Sequence, residues 1–312
     1  MYQEHPSFRN PDNGDSAIIW RYMDFTKFIS LLERKALFFV VASNLSEYDP
    51  CEGKFPRANL VGYYRNAFPK HKEETIMKLA EQGGIWQEES KHYNLINSWN
   101  LNQQESAAMW KVYLKSNEGI AIQSTFGHLK QSFLDPEECI LIGVVDYHSV
   151  GSLGQSHNNT VEDHHIVGYI GEDENLIIPE NAPNPYLCKR ASFAYEQEIR
   201  AITYEFPSTE FCKDKEEAEE RAKEIAAKYK IPVSDVHVDY DVAHHSFFGK
   251  YIYDPALGGD YIDVDLDILI QKVYVEPTTP EWFKELVEQI MKKYDLGHKK
   301  VIKSSLMDDS LF

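Results

Sequence analysis

Short apolar runs of strand type and longer stretches of helical periodicity interleave along this chain without settling into a strand–helix–strand rhythm. That irregularity limits the fold more than any single motif does. Ala17 to Tyr22 reads as a strand, and Asp24 as the N-cap of a helix through Arg34 that gathers Phe25, Phe28 and Leu32 on one side. Ala36 to Val41 is a second apolar strand. Helical spacing recurs over Pro69–Gln82, where Gly83-Gly84 reads as a stop, and over Gln104–Lys115, with Ala108, Met109, Val112 and Tyr113 facing inward. It recurs again over Lys213–Lys230 and Trp282–Tyr294. Between these lie strand patterns at Asn94–Asn100, Ile120–Gln123, Cys139–Tyr147, Val236–Val242 and Asp267–Val275, with a last one in the tail from Lys299 to Leu306. The expectation is an α+β fold: a mixed, largely antiparallel central sheet with flanking helices. Residues 17–312 form one domain in this reading, behind a loosely held lead-in over 1–16 and with a loop insertion at 149–186.

The balance of charge narrows the function. Asp plus Glu number 50 against 32 Lys plus Arg, a formal net charge of −18 over 312 residues. Phosphate backbones are bound by excess Lys and Arg, so an extended nucleic-acid surface is not expected. Cys51, Cys139, Cys188 and Cys212 are widely separated and form no C-x-x-C pair, which fits a reducing compartment. The first residues show no basic-then-apolar leader, and no apolar run approaches the roughly 20 residues of a membrane helix. The expectation is a cytoplasmic protein with no membrane contact.

Chemistry concentrates in Phe193–Ile202, where Glu196, Glu198 and Arg200 recur at every second position among β-formers. On a strand they would share a face, which points to a cleft; a solvated edge strand carrying an ion pair is the alternative. As cleft residues they would add little to packing, so Glu198→Gln would abolish activity and leave folding nearly untouched. Arg21, between Trp20 and Tyr22, suits a phosphate or carboxylate clamp, or a structural ion pair with Asp49 or Glu52. No metal site is expected: the pairs His164-His165 and His244-His245 lack helical ligand spacing. His237, Asp239, Asp241 and His245 are only loosely alternating, and Asp263, Asp265 and Asp267 lack the glycine and closing Glu of a calcium loop. Gly151-Ser-Leu-Gly154 is no P-loop, and no G-x-S-x-G elbow occurs.

Five segments together resemble a bacterial family catalogued as "domain of unknown function 2971". They are Ile19-Trp20-Arg21-Tyr22 running through Phe39; the turn Asp49-Pro50-Cys51-Glu52-Gly53; the helix Met109-Trp110-Lys111-Val112-Tyr113 leading to Gly119–Ile122; the Tyr195–Arg200 strand; and Leu269–Pro277 with Lys303–Ser305. The likeness spans nearly the whole chain. It departs in the turn, where Tyr48 and Cys51 replace an Asn and a Phe. A second resemblance is to ADP-ribosyltransferases of the arginine–serine–glutamate type, in the order Arg21, Ser124-Thr125, Glu196-Gln197-Glu198, with Phe126 where that type carries another serine.

This second resemblance implies NAD as a substrate. Arg21 would hold the pyrophosphate and Ser124 would support its strand, while Trp110 or Tyr113 would stack on nicotinamide. Glu198 would bond the ribose and steady an oxocarbenium-like transition state, and Glu196 would orient or deprotonate the acceptor. The expected site is therefore Arg21, Asp49, Glu52, Trp110, Tyr113, Ser124, Glu196, Glu198 and Arg200, taking a small nucleotide-type ligand. The implied activity is an NAD-consuming transferase or glycohydrolase, an effector of toxin or phage-defence type. A non-catalytic binding module and a metal-dependent phosphodiester hydrolase built on Asp239 and Asp241 are the alternatives.

Overall fold

The computed structural model describes residues 2–5, 8–55, 57–92, 94–114, 118–136, 138–148, 185–204 and 258–307, with 169–170, 176–177, 219–220, 223 and 227 besides. Most of the 149–186 insertion, Cys212, the Val236–Val242 strand and the histidine pairs lie outside the described residues. Of the helix expected over Lys213–Lys230, Glu219, Glu220, Lys223 and Ala227 are described; all four are helical and exposed.

In chain order the elements are β1 (Ile18–Asp24), α1 (Phe25–Arg34), β2 (Ala36–Val41), α2 (Ala42–Leu45), α3 (Arg57–Ala67) and α4 (Glu73–Ser90). Then come β3 (Asn94–Leu101), α5 (Ala107–Tyr113), β4 (Gly119–Thr125), α6 (Phe126–Ser132), β5 (Leu141–Val144), β6 (Asp146–His148) and the short pair β7 (Tyr169–Ile170) and β8 (Leu176–Ile177). The chain continues through β9 (Cys188–Arg190), β10 (Glu198–Tyr204), β11 (Gly259–Asp263), α7 (Leu266–Leu269), β12 (Lys272–Val275), α8 (Glu281–Lys293) and β13 (Lys300–Lys303). Helices flanking a mixed, largely antiparallel sheet make this an α+β protein. No helix among the described residues is long and apolar enough to cross a membrane.

Two compact units are present, each assembled from separated stretches: Met1–Phe38, Asn97–Ile202 and Tyr261–Phe312 in one, Phe39–Ile96 and Thr203–Asp260 in the other. In the first, β1 lies antiparallel to β4 from Ile18↔Thr125 to Asp24↔Gly119. Beyond β4, β12 pairs antiparallel and β13 closes parallel to β12. On the other side of β1 comes β3, with Trp20 opposite Asn100. Alternation on the strands explains the burial: Met23, Ile120 and Val275 fall in register and are all buried. The alternate positions Trp20, Tyr22 and Ala121 pack under Met109 and Trp110 of α5, with Tyr274 beside them. The α8 helix buries Phe283, Val287 and Met291, one per turn, and Phe283 meets Phe25 edge-on at 5.2 Å.

Several expectations shift. The lead-in is held: Tyr2 bridges Ile140, the Val144 amide donates to Arg9 O at 2.9 Å, and Phe8 is buried. The α5 helix buries Met109 and Trp110, whereas Ala108, Val112 and Tyr113 face solvent. Asp267 begins no strand, because Asp265 caps α7 by accepting from the amides of Asp267 at 2.8 Å and Ile268 at 3.0 Å.

In the second unit, α4 runs straight through Gly83-Gly84 instead of stopping there. Gly83 serves packing: a Cβ there would lie 2.8 Å from the Tyr64 hydroxyl of α3. Asp49 and Glu52 also belong to this unit. Both are buried, and the Asp49 Oδ1 accepts from the Cys51 amide at 3.0 Å, closing the Asp-Pro turn.

Candidate functional site

The Phe193–Ile202 segment is not one strand. Ala191–Glu196 forms a 3-10 turn, Gln197 takes the left-handed conformation at φ 40°, and β10 begins only at Glu198. Glu198 and Arg200 therefore share a strand face, as their spacing predicts, while Glu196 reaches the same place from the turn. Both carboxylates and Arg200 are buried rather than set in an open cleft face.

Among the described residues, four charges meet there. The Lys189 ammonium on β9 bonds Glu196 Oε2 and lies 2.7 Å from Glu198 Oε1. The Arg200 Nε donates to Glu198 Oε2, and its Nη1 donates to Tyr186 O at 2.6 Å. The Ser98 hydroxyl on β3 adds a 3.3 Å bond to Glu198 Oε2. The parallel pairing of β6 with β9 sets Tyr147 beside Lys189, and the Tyr147 hydroxyl accepts from the Glu198 amide at 2.7 Å. Asn100 ties down the turn by donating to Glu196 O at 2.6 Å. Two cations thus answer two carboxylates, which is how buried charge is tolerated.

Their unequal surroundings divide the carboxylates. Burial, and then the bond to Glu198, push the Glu196 carboxyl up to about 7. Burial also works against ionising Glu198, but the Arg200 charge, the bond with Glu196 and Lys189 together hold it well below the usual carboxylate range. The physical reason is the charge of the partners: Glu196 has the Lys189 ammonium and a neutral bond with Tyr195, while Glu198 has Lys189, Arg200 and Ser98. Burial weakens the Lys189 ammonium, yet Glu198 and the bond to Glu196 more than restore it and its pKa is raised.

Arg21 stands differently. Its Nη1 donates to Ser98 O at 2.7 Å and its guanidinium lies 5.9 Å from the centre of the Trp99 ring. Among the described residues no carboxylate pairs with it, and most of its N–H fork is unengaged. Burial lowers its pKa to about 10, with Tyr113 acting the other way, so it stays cationic at neutral pH. Ser98 connects the two parts of the site, its carbonyl on Arg21 and its hydroxyl on Glu198. Tyr113 senses both. Burial of its hydroxyl raises its pKa, Glu198 and Glu196 add to the shift, and Arg200 and Arg21 oppose it. Because the residue is 40% exposed overall, the ring forms a wet rim above a desolvated hydroxyl.

Of the remaining expected residues, Trp110 and Ser124 belong to the core of the first unit. The Trp110 indole is core, edge-on to Tyr22 at 5.0 Å with its Nε1 donating to Glu105 at 3.0 Å. Ser124 is fully buried and donates to Leu269 O at 2.5 Å, bracing β4, while Thr125, the last residue of β4, caps α6. The Arg200 guanidinium is taken up by Glu198 and Tyr186. Asp49 and Glu52 sit in the second unit's turn. Lys189, Ser98 and Tyr147 escaped sequence reasoning: each is a single residue in an unremarkable context, and only strand register delivers it to the site. Among the described residues no three His, Cys, Asp or Glu side chains gather to hold a metal.

The fold and site define an α+β protein with a buried carboxylate pair beside an uncommitted arginine. No protein-family model, curated protein or solved structure matches this chain.

Proposed function

We propose that the chain acts on the glycosidic bond of a nucleotide of NAD type, as an ADP-ribosyl transferase or glycohydrolase. The observation that carries this reading is the unequal company of two adjacent buried carboxylates: Glu198 meets Lys189, Arg200 and Ser98, whereas Glu196 meets Lys189 as its one cation among the described residues and is pushed up by burial. Arg21 offers its open fork to the pyrophosphate, the geometry that guanidinium suits best. Glu198, kept anionic, faces the positive charge that develops on the ribose as the bond from its anomeric carbon to nicotinamide breaks. Nicotinamide leaves with the bonding electron pair. Glu196, once deprotonated, takes the proton of the water or acceptor that attacks the same carbon. Tyr113 provides an aromatic face at the rim.

A second reading rests on the closure of the charged quartet. Glu198 is 4% exposed, and both its oxygens are already engaged. In that case the quartet is scaffold, and Arg21 alone binds an anion without turnover.

Nicotinamide release from NAD, alongside thermal shifts with NAD, ADP-ribose, other nucleotides and divalent metals, separates the two. The enzyme reading expects release that climbs with pH through about 7, the value to which Glu196 is raised, and its loss in Glu196→Gln with ligand shifts retained. Ligand shifts without any release leave the binding module. A protein that neither releases nicotinamide nor shifts with any nucleotide overturns both.

A further inference from the structure

We propose that Lys189 is the positioning residue of this site: its ammonium, clamped between Glu196 and Glu198, holds the two carboxylates in one shared hydrogen-bond system and is the cation that answers Glu196. The inference rests on the acid–base reading above and adds a residue whose type and position gave no sequence signal.

The geometry is specific. A single Nζ meets Glu196 Oε2 and, at 2.7 Å, Glu198 Oε1. Three features hold the ammonium there. Lys189 is 8% exposed, its ammonium lies 4.8 Å from the centre of the Phe193 ring, and its strand is fixed in register beside Tyr147. Glu198 keeps Arg200 and Ser98 if Lys189 is removed, whereas Glu196 loses its cation altogether. Removal therefore acts more on Glu196 than on Glu198. Among the described residues, the other groups around Glu196 either favour its neutral form, as Glu198 does, or supply no second cation to it: Tyr195 gives a neutral hydrogen bond and Arg200 is engaged by Glu198 and Tyr186. These groups are Glu198 and Arg200 from β10, Tyr195 from its own turn, Tyr147 from β6 and Tyr113 from α5. The ammonium is the direct counterweight that keeps the Glu196 proton removable near neutrality. Without it Glu196 stays an acid and cannot serve as a base.

The test is NMR titration of the full chain labelled at the glutamate carboxyl carbon. The Glu196 signal is identified by its loss in Glu196→Gln. In Lys189→Met its titration is expected to move to higher pH by about one unit or more, a roughly tenfold tighter hold on the proton. Lys189→Arg, which keeps a bridging cation, is expected to stay near the wild-type value. A folded Lys189→Met protein with an unmoved Glu196 titration overturns the proposal. Should Lys189→Met fail to fold, the double variant Lys189→Met with Glu196→Gln decides. Removing cation and carboxylate together leaves Glu198 with Arg200, so folding is expected to return, and continued failure overturns the proposal. None of these readouts needs turnover. A moved titration in a protein inert toward NAD upholds the role of Lys189 and rejects the glycosidic reading instead.

Discussion

Replacing Glu196 by Gln should change how stability depends on pH more than it changes stability at any one pH. In the folded chain the carboxyl is raised to about 7, against roughly 4.3 in an unfolded chain. The folded state then holds this proton more tightly than the unfolded one. The contribution is complete below the unfolded value and is lost as pH rises through the folded value. Between pH 5.5 and 8 the wild-type chain should lose about 2 kcal/mol from this residue alone. Little discount for solvent screening applies, because Glu196 is only 7% exposed. Gln cannot ionise, so the variant lacks that loss. Its stability relative to wild type should climb by about 2 kcal/mol across the same interval and level off above it. Urea unfolding at a series of pH values measures the difference, with the other carboxylates cancelling between the two proteins. A difference that stays flat from pH 5.5 to 8, or that falls, would refute the assignment of the shared proton to Glu196.

Arg21→Met should abolish the thermal shift caused by nucleotides, a loss of roughly 10- to 100-fold in affinity for one charge-assisted contact, while leaving the apo melting temperature nearly unchanged. A retained shift would remove Arg21 from the site. Glu198→Gln should instead cost about 3–5 kcal/mol in denaturant unfolding, because Arg200, 1% exposed, loses its carboxylate. A small cost would mean that Glu198 is not the structural partner its contacts imply. In α4, Gly84→Ala should stabilise by up to about 1 kcal/mol, since the nearest atom to the added carbon is Leu60 Cδ1 at 3.9 Å. Gly83→Ala should lose that gain against Tyr64, and equal effects of the two substitutions would contradict the close helix approach.

Periodicity reached the elements whose burial is governed by a single face. The strand at Ala36–Val41 and the helix at Glu281–Lys293 each bury one regular stripe, and the strand at Ile18–Asp24, buried on both faces, was legible from its run of apolar residues instead. It failed where one residue had a local reason of its own. Gly83 looked like a helix stop, but the absence of a side chain serves contact with Tyr64. Asp267 looked like the start of a strand but lies in the short helix that Asp265 caps. Gln197 has no glycine to advertise its positive φ, so the break between turn and strand was invisible, although Glu196, Glu198 and Arg200 still arrived together. Arg21 was legible as a candidate because an arginine inside an aromatic strand needs a partner. Lys189, Ser98 and Tyr147 were not, because their roles depend on pairings between residues far apart in the chain.

Structural need alone accounts for part of this arrangement. A buried ion pair of Glu198 with Arg200 would be complete with the Tyr186 carbonyl and the Ser98 hydroxyl. Adding Lys189 and Glu196 brings two further ionisable groups out of water, and desolvating each costs several kcal/mol before their attraction offsets it. Apolar side chains of similar size would fill the same space without that cost. The second pair also differs from the first in kind, since its carboxyl sits near neutrality while that of Glu198 is held ionised. A titratable carboxyl of this kind is what the proposed acid–base chemistry would use. Arg21 follows the same logic: half-buried and without a carboxylate among the described residues, it carries an uncancelled charge that an anionic guest would neutralise. An ionised carboxylate and an unspent cation joined through Ser98, with a titratable carboxylate joined through Lys189, are what the proposed transfer at a phosphorylated sugar would need.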